Sequence, residues 1–284
     1  MSKRNLFLGT AAGKVGDVVV YRAGGTQRAR VRVVPKDPKT SSQMVQRSRI
    51  GGVVATYRAA KGLLQDTFES KPSKQSAYNA FAQEAMPTAP VMLKELVEAG
   101  CAFPMPMTIS RGSLPSPFMT VEEESGVVKY PIGATALSEI TTIKALSEEL
   151  IRIKPCCFKN GSEIIAVQIS YVKDESLGND FYKPNMTVEK FTLDTGNTDS
   201  VPSSGFLVFD IENGFLIAEN LQQETFPQVV AILVANTDSE GIHVTTAQGY
   251  MNTLASSLYT QWTSPIREQE VAESYGASGG SCVI

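Results

Sequence analysis

The sequence predicts an α+β fold, in which a small N-terminal hairpin-plus-helices unit is followed by an antiparallel β-sandwich. Three observations predict it. Residues 18–34 hold two β-branched runs around a double glycine, residues 41–99 place apolar side chains at three- and four-residue steps, and from Phe103 onward short apolar runs alternate with Gly, Pro, Asn and Asp. These changes of period divide the chain into a basic β-hairpin and helical domain over 1–100, a β-sandwich domain over 101–266 and a Gly/Ser-rich C-terminal tail over 267–284.

The opening stretch GTAAGKVGDVVVYRAGGTQRARVRVV, residues 9–34, invites comparison with a phosphate-binding loop. That loop needs Gly, four residues, then Gly-Lys-Ser/Thr, because backbone N–H groups cradle the phosphates and the hydroxyl holds Mg²⁺. Gly9 is one residue too close to Gly13, and Val15 follows Lys14, so loop size and hydroxyl are both wrong. What remains is a hairpin: VVVYR and RARVRVV flank AGGTQ, where Gly24 and Gly25 supply a turn. Strand alternation sends Arg28, Arg30 and Arg32 to one side and Ala29, Val31 and Val33 to the other.

Pro35 and Pro38 interrupt the chain before Thr40, Ser41 or Ser42 caps a long helix running to about Thr67. Its apolar stripe is read as Ile50, Val53, Val54, Tyr57, Leu64 and Phe68, and Arg47 and Arg58 share a face three turns apart. A second helix follows Ser73, and MPTAP separates it from a segment over Val91–Ala99. In the β-rich part the clearest hairpin joins Phe206–Asp210 to Phe215–Ala218. A short helix between Ser138 and Leu150 takes Ser138 as its cap.

Composition narrows function. No apolar run approaches the ~20 residues of a membrane helix, and the apolar start of MSKRNLFLG stops after about three residues, so no signal peptide is expected. Cys101, Cys156, Cys157 and Cys282 lack C-x-x-C spacing, and Cys156 and Cys157 would point to opposite faces of a strand, so no zinc or other metal site and no cofactor is expected. His243 is the only histidine and there is no G-x-S-x-G elbow. NTDSEG, 236–241, begins like a calcium loop, but Ala247 stands where a bidentate Glu is required; a hairpin turn is expected. Catalytic residues are therefore read as none. Charge is uneven: Lys and Arg exceed Asp and Glu by 13 to 4 over residues 1–70, and fall short by 13 to 25 over the rest. Such a split suits a basic face meeting an acidic partner, either nucleic acid or a neighbouring copy.

GKVGDVVVYRAGGTQRAR (13–30), TSSQMVQRSRIGGVVATYRAAKGLLQDTF (40–68) with its Gln43-x-x-x-Arg47 pattern, and ISRGSLP (109–115) occur in this order. Together they resemble an uncharacterised family from Bacteroidota and their phages. The resemblance covers most of the first 115 residues and carries no established activity. It implies a non-enzymatic structural protein of a virion or similar ordered assembly, located in the virion or the bacterial cytoplasm, with further copies and other assembly proteins as partners. Arg22, Arg28, Arg30, Arg32, Arg47, Arg49 and Arg58 are the expected interaction residues, docking on neighbouring protein or, alternatively, on nucleic-acid phosphates.

Overall fold

The computed structural model describes residues 13–23, 26–33, 37, 39–69, 71–118, 122–124, 127–132, 140–178, 180–202, 205, 207–210, 215–218, 226–239 and 241–277. The chain forms two compact units, residues 1–38 and 39–284. The first is an antiparallel sheet of β1 (Gly13–Val15), β2 (Val18–Ala23) and β3 (Thr26–Val31) in sequence order. The expected hairpin is β2–β3, and the Ala23↔Thr26 pairing leaves a two-residue connection; its Gly24 and Gly25 lie outside the described residues. A third strand joins it, because Val15 pairs with Val18 across Gly16, whose φ of +60° meets the demand of a two-residue hairpin turn. The segment resembling a phosphate loop is thus a strand from Gly13 onward, while Gly9 lies outside the described residues.

The second unit begins with α1 (Ser41–Thr67), α2 (Ala77–Ala85), α3 (Lys94–Glu98) and β4 (Thr108–Ser110). There follow β5 (Glu122–Glu124), β6 (Val127–Pro131), α4 (Ile143–Ile153), β7 (Glu163–Lys173), β8 (Tyr182–Thr192), β9 (Leu207–Asp210) and β10 (Phe215–Ala218). The chain then adds β11 (Gln228–Thr237), β12 (Ile242–Val244), β13 (Ala247–Gln248), β14 (Tyr250–Met251), α5 (Thr253–Trp262) and α6 (Pro265–Ser274). Each major helix start has its own physical cause. Thr40 Oγ1 accepts the Gln43 N–H at the head of α1, Thr142 rather than Ser138 caps α4, and the Asn252 carboxamide caps α5. Ser138 is outside the described residues.

The unit is three layers deep, with α1 and α2 on one face of a central sheet and a second sheet on the other. The central sheet runs β12-β11-β7-β8 with β14 also on β11, and the outer one runs β5-β6-β10-β9. Alternation in β7 and β11 explains the layering. Ile165, Val167, Ile169, Ala231 and Leu233 pack with Val53, Leu64 and Phe81 of the helices. Ile164, Ala166, Val230, Ile232 and Val234 pack with Val128, Tyr130, Leu207, Phe209 and Leu150. Both faces are covered, so β11 is buried at nine of its ten positions and reads as a continuous apolar run. On one side β11 changes neighbour from β14 to β12. Within that gap the Ile232 N–H donates to the Tyr130 hydroxyl and the Val234 N–H to Thr245 Oγ1, so the backbone stays satisfied.

The two facing sheets are the expected sandwich, but the boundary expected near residue 100 does not divide the chain. Helices of the first hundred residues share a core with β7 and β11, so the break falls after Pro38 instead. Nor is 267–284 all tail: α6 extends to Ser274, and Val271 and Ala272 are buried against Met44, Val45 and Val91. The Gly/Ser composition that suggested a tail belongs to residues beyond this helix, and 278–284 lie outside the described residues. On α1 the buried face follows Met44, Ser48, Val53, Thr56, Ala60 and Leu64, leaving Ile50 46% exposed rather than in the stripe.

Candidate functional site

The pairing Val18↔Val31, Val20↔Ala29 and Arg22↔Gln27 places those six residues on one face of the N-terminal sheet. Lys14, Val19, Tyr21, Arg28 and Arg30 take the other, and alternation adds Arg32, whose N–H bonds the Asp17 carbonyl and so continues the ladder. One face is therefore apolar and the other basic. Arg28, Arg30 and Arg32 share the basic face as expected, with the Arg30 guanidinium 5.8 Å from the centre of the Tyr21 ring. Arg22 falls on the apolar face, because β2 and β3 register places it opposite Gln27. Among the described side chains of this unit only Val20 is buried. Val31, the last residue of β3, is 69% exposed, an unusual state for a valine in a sheet, and Val33 just beyond it is 75% exposed.

The three remaining arginines lie on α1. Arg47 and Arg58 are both exposed on one face, with Ile50 between them. Arg49 differs: its guanidinium meets the Glu268 carboxylate at 2.7 Å and ties α1 to α6. That bond commits the Arg49 guanidinium to a contact within the fold, unlike the exposed Arg47 and Arg58.

A second polar constellation, not anticipated in the sequence, gathers around His243. The Glu69 carboxylate, just past α1, accepts the Ser113 hydroxyl at 2.6 Å, the Val244 N–H at 3.0 Å, the Ser113 N–H at 3.2 Å and His243 Nδ1 at 2.8 Å. His243 Nε2 lies 3.3 Å from Asp238. Ser113 Oγ is also 3.3 Å from Nδ1, which resembles the nucleophile–base contact of a hydrolase. Hydrogen-bond bookkeeping gives another reading. Nδ1 donates to Glu69, so it has no lone pair for the serine proton, and the Ser113 N–H that would stabilise an oxyanion is spent on the same carboxylate.

The group is a buckle, and it explains the SRGSLP motif. The Ser110 hydroxyl bonds the Thr245 carbonyl, Arg111 N–H bonds Thr67, the Arg111 guanidinium meets Glu84 at 2.6 Å, and Leu114 N–H bonds Val244. Six residues thereby join α1, α2 and the β12 edge. The signal was invisible in sequence because Glu69, Ser113 and the Asp238–His243 stretch are distant in the chain and belong to no common spacing.

The buckle titrates. Partial burial raises the Glu69 carboxyl, but hydrogen bonds from Ser113, Val244 and His243 outweigh it and hold the group below its ordinary 4.5. The hydrogen bond to Glu69, helped by nearby Asp238, holds the imidazole above its ordinary 6.5. A lowered carboxyl stabilises above its unfolded value and is lost as pH falls through its folded one. A raised imidazole stabilises below its unfolded value and is lost as pH rises through its folded one. The buckle is thus tightest between 4.5 and 6.5. In thermal melts from about pH 3.5 to about pH 8.5, His243→Gln is expected to remove the alkaline decline, and Glu69→Gln to remove the acid decline and shrink the alkaline one to the part held by Asp238; an unchanged profile in Glu69→Gln would contradict this account.

Elsewhere, Asp238 and Gly241 exchange backbone bonds to close the turn between β11 and β12, and the Asn236 carboxamide turns inward onto the Cys157 carbonyl. No group of three or more metal-ligating side chains occurs among the described residues, nor does a helix there have the length and apolarity to cross a membrane. Compared with protein-family models, curated proteins and solved structures, the chain matches none.

Proposed function

We propose that this chain is a non-enzymatic assembly protein, a structural component of a phage virion or similar ordered particle, that associates with further copies through its N-terminal sheet. The supporting observation is that this sheet leaves apolar side chains exposed on one face, where only Val20 is buried, and Arg28, Arg30 and Arg32 exposed on the other. A three-stranded sheet gains independent stability from burying one face, and this one leaves Val18, Val31 and Val33 uncovered. Charge supports the same partner. Residues 1–38 hold eight Lys and Arg against two Asp, whereas 39–284 hold 18 against 27, so the sheet of one copy is complementary to the body of another. The motif resemblance to proteins of Bacteroidota and their phages supports the particle setting.

The basic face favours a second reading, nucleic-acid binding, since Lys14, Arg28, Arg30 and Arg32 stand beside the half-exposed Tyr21. Surface variants separate the two. Light scattering after size exclusion is expected to show intact protein above monomer mass, and Val31→Asp with Val33→Asp at monomer mass. A monomeric intact chain at high concentration overturns the assembly reading. Binding to a fluorescent oligonucleotide that falls steeply between about 50 and 200 mM salt, and is lost when Arg28, Arg30 and Arg32 become Glu, would assign the second.

A further inference from the structure

Lys154-Pro155-Cys156-Cys157-Phe158 follows the last turn of α4. On a strand, adjacent side chains diverge by half a turn. Here the chain stays coiled: Lys154 N–H bonds Leu150, and both Cys157 and Phe158 N–H groups bond the Lys154 carbonyl at 2.9 Å. The two cysteines therefore do not face opposite ways as a strand would have them; their Sγ atoms are 3.4 Å apart. They also differ in access. Cys156 is exposed, while Cys157 is 2% exposed and packs with Leu146, Leu150, Phe158 and Ile164. One thiol is open to a reagent and the other waits directly behind it.

We propose that Cys156 and Cys157 form a vicinal dithiol that closes to a disulfide by exchange with a small-molecule disulfide. The Cys156 thiolate attacks one reagent sulfur, the reagent S–S bond breaks, and one thiolate leaves. The Cys157 thiolate then attacks Cys156 Sγ and expels the second. The protein pair loses two electrons and two protons, and the reagent is reduced to two thiols. Closure draws the sulfurs from 3.4 Å to about 2.05 Å. Neighbouring Cα atoms are only about 3.8 Å apart, shorter than the usual disulfide span of about 4.4–6.8 Å, so the ring is strained and reopens readily in reducing thiol.

Burial, then the adjacent Cys156, pushes the Cys157 thiol up to about 11. In the mixed disulfide the contribution of Cys156 is gone but burial still holds the Cys157 thiol up, so the second step waits on deprotonation and quickens as pH rises. The turn is also tied to the central sheet, since the Cys157 carbonyl accepts from Asn236 at 3.0 Å. Closure pulls on this bond and on the core beneath it.

The test treats the full chain carrying Cys282→Ser with oxidised glutathione at about pH 7.5 and about pH 9.5, followed by acid quench and peptide mass spectrometry. The expected result is a glutathione adduct on Cys156 that dominates at the lower pH, and a 156–157 peptide lacking two hydrogens that replaces it at the higher. Dithiothreitol restores the dithiol. Cys157→Ser halts at the adduct, and Cys156→Ser leaves Cys157 unmodified. An adduct that never closes at either pH overturns the proposal. So does modification of Cys157 in Cys156→Ser at the rate of the intact pair. Phenylarsine oxide, which condenses with two thiols and releases water, provides an independent readout: one equivalent binds the intact pair tightly, and either single variant abolishes it.

Discussion

Gly112→Ala is expected to cost about 3 kcal/mol or more of stability, far beyond what one methyl group does at most sites. A Cβ at residue 112 would stand 1.9 Å from the Val244 carbonyl oxygen and 2.5 Å from its side chain. The neighbour cannot retreat, because the Val244 N–H is held by Glu69 and its carbonyl by the Leu114 N–H. Overpacking against fixed backbone has no rotamer to relax into. Gly62→Ala is the matched control: it lies in α1 with nothing within 4 Å of its added Cβ. There the same methyl should stabilise by about 0.5–1 kcal/mol through helix propensity. Urea denaturation followed by the fluorescence of Trp262, the only tryptophan, measures both. A Gly112→Ala midpoint equal to that of the parent would mean that the SRGSLP segment does not press on Val244.

Trp262→Ala is expected to be comparably damaging, at about 3–5 kcal/mol. The indole is fully buried at the end of α5, stacks on Phe103 at 4.5 Å and carries the Arg267 guanidinium 4.6 Å from its ring centre. Met92, Leu96, Cys101 and Leu258 complete the pocket, so truncation empties a space lined by the 92–103 stretch and by α5 itself. Trp262→Phe should cost markedly less, since the indole N–H has no hydrogen-bond partner to lose. Circular dichroism during urea unfolding compares the two variants, and equal losses would show that ring stacking contributes little there.

Legibility in the sequence followed the locality of the cause. The β2–β3 hairpin, the start and end of α1, and the β9–β10 hairpin were readable because caps, turns and period lie within a few residues of one another. The α+β class followed from the same signals. Helices α5 and α6 were missed: TLASSLYTQW is rich in hydroxyl residues, and α6 buries only Val271 and Ala272, so neither shows a wide apolar stripe. Ile50 was misplaced because an exposed apolar residue between Arg47 and Arg58 fits a helical period as well as a buried one does. In the candidate site, strand alternation gave Arg28, Arg30 and Arg32 a common face. Arg22 required the cross-strand register, and the commitment of Arg49 to Glu268, 219 residues away, had no local trace.

The course of α1 has a mechanical consequence. Its 27 residues extend about 40 Å and end at the Glu69 buckle, burying side chains from Met44 to Thr67 along the way. Tension applied to the first turn of α1 along its axis loads the helix lengthwise. It is resisted in shear by the whole buried flank, and at the far end by the bonds of Thr67 to Ile109 and Arg111 and of Glu69 to Ser113 and Val244. Bonds loaded side by side must fail together, whereas those of a peeled strand fail in turn. The helix is a tie-rod, and the SRGSLP turn is the nut that secures it.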